Sequence, residues 1–345
     1  MSWVETELRG QPEALERFLD AELDRAPALA RELLRPDVRY LLIASRGSSG
    51  NAARYAQYVL GNANRLPVAF ATPSLYTIYE APPRLDGALA IAISQSGESP
   101  DVVAVLAEAR AQGRPTLAIT NEPRSPLAEA AEWTLSLHAG EERAVAATKT
   151  YLNSIAAVAL VSAALAGDAR RFAELRKAPG WVHDQIACSL EAADRLDGYQ
   201  TADGGVVVAR GVNYGTAFEV ALKIRELSGI PFEPFSPADL LHGPIAALRP
   251  GRPVILVAPS GPALASVRGL LPKLRDRGAP VVAVSDDDEL LAAADTPLPL
   301  ARTIPEWLSP LVTVIAGQVA AVRLATLRGG DVDRPAGLTK VTLTR

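Results

Sequence analysis

Short apolar runs alternate with longer stretches of helical spacing along the whole chain. The runs are 40–44, 89–93 and 116–119 in the first half and 206–209, 254–258 and 281–284 in the second. Near-continuous runs of this kind are typical of parallel strands buried on both faces, and the segment 101–112 between two of them has helical spacing. The pattern predicts an α/β fold in which each half is a doubly wound parallel sheet flanked by helices, with ligands at the carboxyl ends of the strands.

The two halves resemble each other at a constant offset. Arg46-Gly47 and Arg210-Gly211 stand 164 positions apart, and each pair follows an apolar run. The same offset also aligns Leu66-Pro67 with Ile230-Pro231, 72–74 with 236–238, and Ser96-Gly97 with Ser260-Gly261. Four matches in one register indicate a duplicated domain rather than chance. We therefore predict two tandem domains, residues 1–180 with N-terminal helices and residues 181–345 with a C-terminal tail.

The halves are predicted to join through the polar stretch 168–205, which mixes helical spacing with the breakers Pro179-Gly180 and 203–205. The first twenty residues are acidic and amphipathic, so they predict a first helix rather than a signal peptide. The longest uncharged apolar run, 155–167, is shorter than the ~20 residues that a spanning helix needs. It predicts a buried helix, and we expect a cytoplasmic protein without a membrane partner.

Composition narrows the class of function. The formal net charge is −4 and no run of Lys or Arg occurs, so the basic surface of a nucleic-acid binder is not expected and small-molecule chemistry is favoured. The single cysteine, Cys188, excludes an intramolecular disulfide and suggests a reducing setting; His138, His183 and His242 have no metal-ligand spacing. Neither a metal nor a cofactor is expected. Only five of the 35 basic residues are lysine, and these are Lys149, Lys177, Lys223, Lys273 and Lys340.

A hydroxyl-rich turn between an apolar run and a helical segment is the strongest candidate for a ligand loop. Ser94, Ser96 and Ser99, with the backbone amides at the helix start, form a site suited to a monoester phosphate. The alternative is that Ser99 is only an N-cap and Gly97 only a turn glycine. In the second half most of the hydroxyls are replaced, within 258–263, which predicts one phosphate loop per chain.

The loop after the first run, 45–51, has a similar setting. It lacks the GxGxxG spacing of a dinucleotide site and the lysine of a P-loop, so nicotinamide and nucleoside-triphosphate functions are disfavoured. Ser48 and Ser49 are candidates for further hydroxyl contacts. A turn of small residues without a ligand role explains the same sequence.

A second candidate constellation lies on the helix that follows residues 206–209. Glu219, Lys223 and Glu226 share one helix face, and His242 follows sixteen positions later. A carboxylate and a histidine form a workable base and acid if the fold brings them together. The alternatives are a solvated face with an intrahelical ion pair and a structural histidine before Gly-Pro.

Five motifs in one order carry a family resemblance: Ser-Gln-Ser-Gly-Glu-Ser, 145–150 with Ala-Thr-Lys-Thr, Glu-x-Ala-Leu-Lys-x-x-Glu, His242-Gly-Pro, and 333–340 with Leu-Thr-Lys. The chain resembles double sugar-isomerase (SIS) domain proteins. It is similar to the isomerase half of glucosamine-fructose-6-phosphate aminotransferase and to the glucosamine-6-phosphate deaminases built on that half alone. The resemblance begins at Gln11-Pro12 and covers nearly the whole chain.

The resemblance implies roles for individual residues. It implies that a sugar phosphate is held by Ser94, Gln95, Ser96 and Ser99, with Ser49, Val145 and Thr339 lining the site. It further implies that Glu226 moves a proton between C1 and C2, that His242 assists ring opening, and that Lys340 engages the open-chain carbonyl, with Lys223 in the same cluster. Two departures stand in the tail: Gly337 replaces the usual Asn, and 341–345 differ from the usual ending.

The resemblance also narrows the reaction. A glutaminase domain begins with a catalytic cysteine, whereas this sequence begins Met1-Ser2, so glutamine-derived ammonia is not expected. Deamination of glucosamine 6-phosphate to a ketose phosphate and ammonia is the favoured function. Aldose-ketose isomerisation, cleavage of a phosphorylated fructosamine and a non-catalytic sugar-phosphate sensor are the alternatives. The family further implies a homodimer in which His242 reaches the partner's site.

Overall fold

The computed structural model describes residues 1–340, so the departure noted at 341–345 lies outside the described residues. Within this range the chain forms two five-stranded sheets in which every strand pair is parallel. The strands are β1 (Tyr40–Ser45), β2 (Val68–Phe70), β3 (Ala88–Ile93), β4 (Thr116–Thr120), β5 (Trp133–Ser136), β6 (Gly205–Ala209), β7 (Phe232–Phe235), β8 (Val254–Val257), β9 (Val281–Ser285) and β10 (Thr296–Pro299). The strand orders are β2-β1-β3-β4-β5 and β10-β9-β8-β6-β7. Each half is thus a doubly wound parallel sheet, which confirms the predicted fold class.

The connections between strands are helical. The α-helices of the described range are α1 (Trp3–Arg9), α2 (Gln11–Glu22), α3 (Ala26–Leu33), α4 (Gly47–Asn64), α5 (Ser74–Thr77), α6 (Pro100–Ala111), α7 (Pro126–Ala130), α8 (Lys149–Ala166), α9 (Ala169–Leu175), α10 (Ala178–Glu191), α11 (Tyr214–Ser228), α12 (Pro237–Leu241), α13 (Leu264–Arg268), α14 (Leu271–Asp276), α15 (Asp288–Ala293) and α16 (Pro310–Leu327). Short 3₁₀ turns lie at Ala193–Leu196, Tyr199–Thr201, Gly211–Asn213, Pro244–Ala247 and Glu306–Leu308. Strands and helices alternate in both halves because a parallel pair needs a crossover connection.

The six strands predicted from apolar runs are confirmed within a residue or so at each end. The four strands without such a signal are β2, β5, β7 and β10, and all four lie at the edges of the sheets. Proline occurs in two of them, at Pro234 in β7 and at Pro297 and Pro299 in β10. An edge strand tolerates proline because one side of its backbone has no ladder partner, so these segments lack the pattern that identifies a central strand.

The chain divides into two compact units. The first-sheet unit contains Glu13–Glu142 and Lys149–Lys177 together with Thr339 and Lys340, and the second-sheet unit contains Met1–Pro12, Arg143–Thr148 and Ala178–Leu338. The first-sheet unit holds β1 to β5, and the second-sheet unit holds β6 to β10. The domain boundary at residue 180 stays a prediction.

Each unit has one long apolar helix. In the first-sheet unit α8 packs against α4 and α3, and in the second-sheet unit α16 packs against α11 and α10. Both helices have the length and hydropathy of a membrane span, but 83% of each is buried inside the protein. They are therefore core helices, and the buried helix predicted at 155–167 is confirmed, with its start further back at Lys149.

Two local expectations were wrong. The single N-terminal helix is divided into α1 and α2 at Gly10, whose amide still bonds back to Thr6 at 3.0 Å. Pro179 and Gly180 do not break a helix, because both residues lie in the first turn of α10. Proline is acceptable there because an amide in the first turn of a helix has no intrahelical acceptor to lose.

Close packing of α11 on α16 yields a stability prediction. A methyl group at Gly317 of α16 would stand 2.1 Å from Cγ2 and 3.0 Å from Cβ of Val220, a stiff β-branched side chain. We expect Gly317→Ala to lower the free energy of unfolding by about 1–3 kcal/mol in urea denaturation. The control is Gly180→Ala, where nothing lies within 4 Å of the added methyl group and stability should stay equal or rise. Equal stability of the two variants would contradict the packing argument.

Candidate active site

The candidate phosphate loop lies where the strand order of the first sheet reverses. The chain leaves β1 toward β2 on one side and leaves β3 toward β4 on the other, while β1 and β3 are direct neighbours with Ser45 opposite Ile93. Their carboxyl ends therefore open into a shared crevice, which is where ligands bind in open α/β sheets. Both hydroxyl-rich loops predicted from the sequence follow these two strands.

The loop after β3 holds its hydroxyl groups in place through its own amides. The Ser94 hydroxyl accepts a hydrogen bond from the Gly97 amide at 3.1 Å, and the Ser96 hydroxyl accepts one from the Glu98 amide at 3.3 Å. Gly97 takes φ +66°, a left-handed conformation that favours glycine. A hydroxyl that accepts from the loop retains its own O–H as a donor. Ser94 and Ser96 can thus each donate to a phosphate oxygen.

Ser99 and Gln95 complete this loop. Ser99 occupies the N-cap position of α6, but its hydroxyl makes no capping hydrogen bond, so the interpretation of Ser99 as only an N-cap is not supported. The Gln95 carbonyl accepts from the Asn121 amide at 3.1 Å and from the Thr120 hydroxyl at 3.2 Å, which fixes the backbone beneath a half-buried side chain. The twelve-residue helix α6 directs its N-terminal dipole at the same place.

The loop after β1 is joined to the start of α6 by an ion pair that the sequence analysis missed. Arg46 Nη2 lies 2.7 Å from Oδ2 of Asp101, whose side chain is fully buried. Arg46 is half-exposed, so water screens part of the attraction. Ser48 and Ser49 follow in the first turn of α4, where Ser49 is half-buried. Because Arg46 is bound to Asp101, the charge of a phosphate here would be met mainly by hydroxyls and amides.

The corresponding loop of the second sheet is occupied by carboxylates of the same chain. After β8, the Ser260 amide donates to Asp286 Oδ1 at 2.6 Å and the Ala263 amide donates to Glu306 Oε1 at 3.3 Å. Glu306 stands so close that a methyl group on Gly261 would lie 2.7 Å from its Cδ. The amides of Ser260 and Ala263, which could otherwise bind an anionic ligand, thus already donate to carboxylates of the protein. This observation supports the prediction of one phosphate loop per chain.

Glu219, Lys223 and Glu226 form a buried charge cluster on α11. The side chains of Glu219 and Lys223 are 0% and 2% exposed, and that of Glu226 is 23% exposed. Lys223 Nζ lies 3.5 Å from Glu219 Oε1 and is hydrogen-bonded to Glu226 Oε2. The alternative of a solvated charged face is therefore wrong. A lysine this deeply buried needs carboxylate partners, since an unpaired charge is costly in the interior.

Glu226 is the member of this cluster that faces outward. Its Oε2 is fixed by Lys223, while within residues 1–340 no hydrogen bond reaches its Oε1. One oxygen held and the other available is an arrangement suited to a general base.

His242 lies at the C-terminal end of α12. Its backbone amide donates to the Ala238 carbonyl at 3.2 Å, and its imidazole is exposed without a hydrogen bond in the described part of the chain. The structure therefore gives the ring no partner from the cluster on α11. The exposed Leu241 precedes it, so both side chains are on the surface.

Lys340 is tied to a carboxylate that the motif search did not include. Its Nζ lies 2.7 Å from Oε2 of Glu142, whose side chain is fully buried, and the neighbouring Thr339 is exposed. Glu142 also accepts from the amide and the hydroxyl of Thr150, the second residue of α8, at 3.1 and 2.7 Å. Thr150 belongs to the motif segment 145–150, which begins three residues after Glu142. No local sequence pattern marks Glu142, because both its burial and its contact with Lys340 come from the fold.

Val145, predicted to line the site, is held by the N-terminal helix and the tail of the second-sheet unit. Its amide donates to the Asp333 carbonyl at 3.1 Å, and the Asp333 carboxylate caps α1 by accepting from the amides of Trp3 and Val4 at 2.9 Å. The buried Glu7 carboxylate accepts from the amides of the two residues before Val145. Glu7 is thus a further residue that the sequence analysis missed, and Asp333, the first residue of the quoted motif 333–340, received no role there.

The geometry of Gly97 can be tested with a matched glycine. A methyl group on Gly97 would lie 2.1 Å from Oγ and 2.5 Å from Cβ of Ser125, whereas Gly113, at a similar φ of +72°, has nothing within 4 Å. Either Gly→Ala change lowers the free energy of unfolding by about 1–2 kcal/mol, because alanine disfavours the left-handed backbone. We expect Gly97→Ala to lower it by about 1–3 kcal/mol more than Gly113→Ala does, because of the clash with Ser125. We also expect Gly97→Ala to weaken glucosamine 6-phosphate binding, measured by calorimetry. Tight binding by Gly97→Ala would remove this loop from the phosphate site.

Comparison with known proteins identifies the family of the chain. The SIS domain family model matches residues 34–164 and 202–328. Glutamine–fructose-6-phosphate aminotransferase (isomerizing) from Pyrococcus horikoshii is 31% identical over 347 residues, which cover 97% of this chain and 56% of that protein. The enzyme of the same name from Streptococcus pneumoniae is 33% identical over 350 residues, 97% of this chain and 57% of that protein. The chain therefore spans just over half the length of these curated relatives.

Solved structures have the same fold. The C-terminal domain of glucosamine-fructose-6-phosphate aminotransferase from Francisella tularensis superposes with a TM-score of 0.88 at 25% identity, covering 97% of this chain and 98% of that one. Glucosamine-6-phosphate deaminase from Thermotoga maritima superposes with a TM-score of 0.81 at 22% identity, covering 99% and 100%, which shows the fold alone. The two matched segments coincide with the two sheets, and the chain belongs to the SIS domain family.

Proposed function

We propose that this protein is an enzyme that deaminates glucosamine 6-phosphate to a ketose phosphate and ammonia. The observation that carries the proposal is the carboxylate of Glu226, which buried Lys223 holds by one oxygen while the other has no hydrogen bond within residues 1–340. Proton transfer next to a carbonyl needs a base of this kind in a fixed position. A sugar phosphate is the substrate class that the hydroxyl-lined loop after β3 suits.

Substrate binding is assigned to the first sheet. Ser94, Ser96 and Ser99 donate hydroxyl hydrogens to the phosphate oxygens, and the N-terminus of α6 favours the negative charge. Gln95 and Ser49 extend the contacts on either side of the crevice, and Val145 and Thr339 are further candidates. Binding through the phosphate leaves the sugar carbons to the catalytic groups.

The reaction is a proton shift followed by hydrolysis. In the open-chain amino aldose, Glu226 removes the proton from C2 and returns it to C1, while a second proton passes from the amine to O1. The C1 aldehyde thereby becomes an alcohol and the C2 amine becomes an imine. Water then adds to the imine carbon and ammonia leaves, which gives the ketose phosphate. Lys340 engages the open-chain carbonyl, and His242 assists ring opening. Arginine cannot act in place of Lys340 at the carbonyl because its guanidinium does not give up a proton.

The single cysteine of the chain is unsuited to nucleophilic chemistry. The single cysteine of the 345 residues is Cys188, and burial raises its pKa, with a further contribution from Glu191. Its thiol donates to the Pro299 carbonyl at 3.3 Å. A thiol in this setting is a poor nucleophile. Cys188 is therefore not assigned a catalytic role.

The proposal includes a homodimeric assembly and a cytoplasmic location. The imidazole of His242 is exposed and without a hydrogen-bond partner among the described residues of its own chain, which suits a residue offered to a second copy. We propose a homodimer in which each His242 serves the partner's site. A cytoplasmic location fits a phosphorylated substrate.

The deaminase assignment is tested by ammonia release from glucosamine 6-phosphate. We expect turnover by the wild type and a loss of about 10²- to 10⁴-fold in Glu226→Gln, because the amide cannot accept the C2 proton. Glu233→Gln, the same change on exposed β7, should keep full activity. Turnover of only an aldose or ketose phosphate would assign an isomerase, and turnover of only a fructosamine phosphate would assign a deglycase. Tight binding without any turnover would favour the sensor.

The tail lysine is tested separately by Lys340→Arg. The variant keeps the positive charge but has no amine that can deprotonate, so we expect turnover to be lost while glucosamine 6-phosphate still binds in calorimetry. Lys273→Arg, at an exposed position of α14, is the matched control and should behave as wild type. Full activity in Lys340→Arg would remove the tail lysine from the chemistry.

A further inference from the structure

Glu142 is a buried carboxylate to which the sequence motifs assign no role. Its side chain is 0% exposed. Its Oε1 accepts from the Thr150 amide at 3.1 Å, and its Oε2 accepts from the Thr150 hydroxyl and from Lys340 Nζ, each at 2.7 Å. All three donors belong to the first-sheet unit. Residues 142 and 340 are 198 positions apart, so this contact fixes the tail against a distant point of the chain.

The three donors have different physical roles. The Thr150 amide and hydroxyl place the carboxylate at the N-terminus of the eighteen-residue helix α8, where the helix dipole favours a negative charge. Lys340 supplies the countercharge that a fully buried carboxylate needs, and its own side chain is 25% exposed. A charge-assisted bond of 2.7 Å holds Nζ in one place, whereas a lysine on an exposed tail explores many rotamers.

The nearby Lys149 has a different partner. Its Nζ donates to the backbone carbonyl of Glu141 at 2.6 Å, which braces the turn before Glu142. Lys149 thus supports the segment that carries the carboxylate, and Lys340 is the lysine that the carboxylate binds.

We propose that Glu142 is the positioning residue of Lys340. It anchors Nζ to the start of α8 through the 2.7 Å contact with Oε2. The role of Lys340 at the carbonyl rests on the proposed function, whereas the ion pair is tested without any substrate.

The test without substrate measures the reactivity of each lysine. The wild-type protein is treated with limiting acetic anhydride, and acetylation is followed at each lysine by peptide mass spectrometry. Lys177 and Lys273 are exposed on the surface and serve as references inside the same sample. We expect Lys340 to react about tenfold more slowly than these two, because its ammonium is held by a carboxylate. Equal reactivity of all three in the wild type overturns the proposal.

Three variants separate positioning from a general effect on folding. Glu142→Gln keeps the shape and an acceptor for Thr150 but removes the charge, so Lys340 should react as fast as Lys177 and Lys273. Glu142→Asp keeps the charge at shorter reach and should restore part of the protection. Glu141→Gln makes the same chemical change at the adjacent exposed side chain and should leave Lys340 protected. Protection of Lys340 that is unchanged in Glu142→Gln overturns the proposal.

Turnover by the same variants distinguishes this inference from the proposed function. With glucosamine 6-phosphate, Glu142→Gln should lower kcat at least about tenfold with little change in KM, and Glu142→Asp should recover part of kcat. A loss confined to KM, or no loss, overturns the positioning role. If the wild type turns over no phosphosugar, the proposed function fails, and the acetylation pattern alone then decides whether Glu142 holds Lys340.

Discussion

Burial of the central strands on both faces is the constraint on which the remaining structure depends. Every residue of β3, β4, β6, β8 and β9 is buried. Strands covered on both sides leave no polar side chain free to do chemistry within the sheet, so functional groups must lie where the strands end. The direction of the crossovers reverses between β1 and β3 and again between β6 and β8, and each reversal opens a crevice at the carboxyl edge. The fold therefore provides two similar places for a ligand.

The two places have diverged in chemistry while their backbones have stayed alike. The residue after each first strand, Arg46 or Arg210, is extended, and the glycine that follows takes φ +50° at Gly47 and +64° at Gly211. The loops at the adjacent strands differ. One presents serine hydroxyls, and the amides of the other are engaged by the carboxylates of Asp286 and Glu306. An internal carboxylate repels an incoming phosphate, so a duplicated fold can keep its architecture and still retain a single anion site.

The sequence predicted what depends on near neighbours and missed what depends on distant ones. Central strands carry continuous apolar runs and were found, whereas edge strands such as β10 carry proline and no such run. The spacing of Glu219, Lys223 and Glu226 predicted a shared helix face, but the burial of that face comes from the fold around it. Lys340 was found through a motif. Its partner Glu142 was not, because no local pattern joins residues 198 positions apart.

The scarcity of lysine has a physical explanation in these contacts. Arginine serves exposed pairs such as Arg176 with Asp24, in which both side chains are mostly in water. Lys223 instead bridges two carboxylates from inside the protein, one turn before and one turn after it, and Lys340 reaches a carboxylate that is already capping a helix. A compact ammonium fits between such groups, whereas a guanidinium brings five donors that a buried site would have to satisfy. Lysine is therefore the cation that these enclosed carboxylates can accommodate, and it is also the cation that can give up its proton.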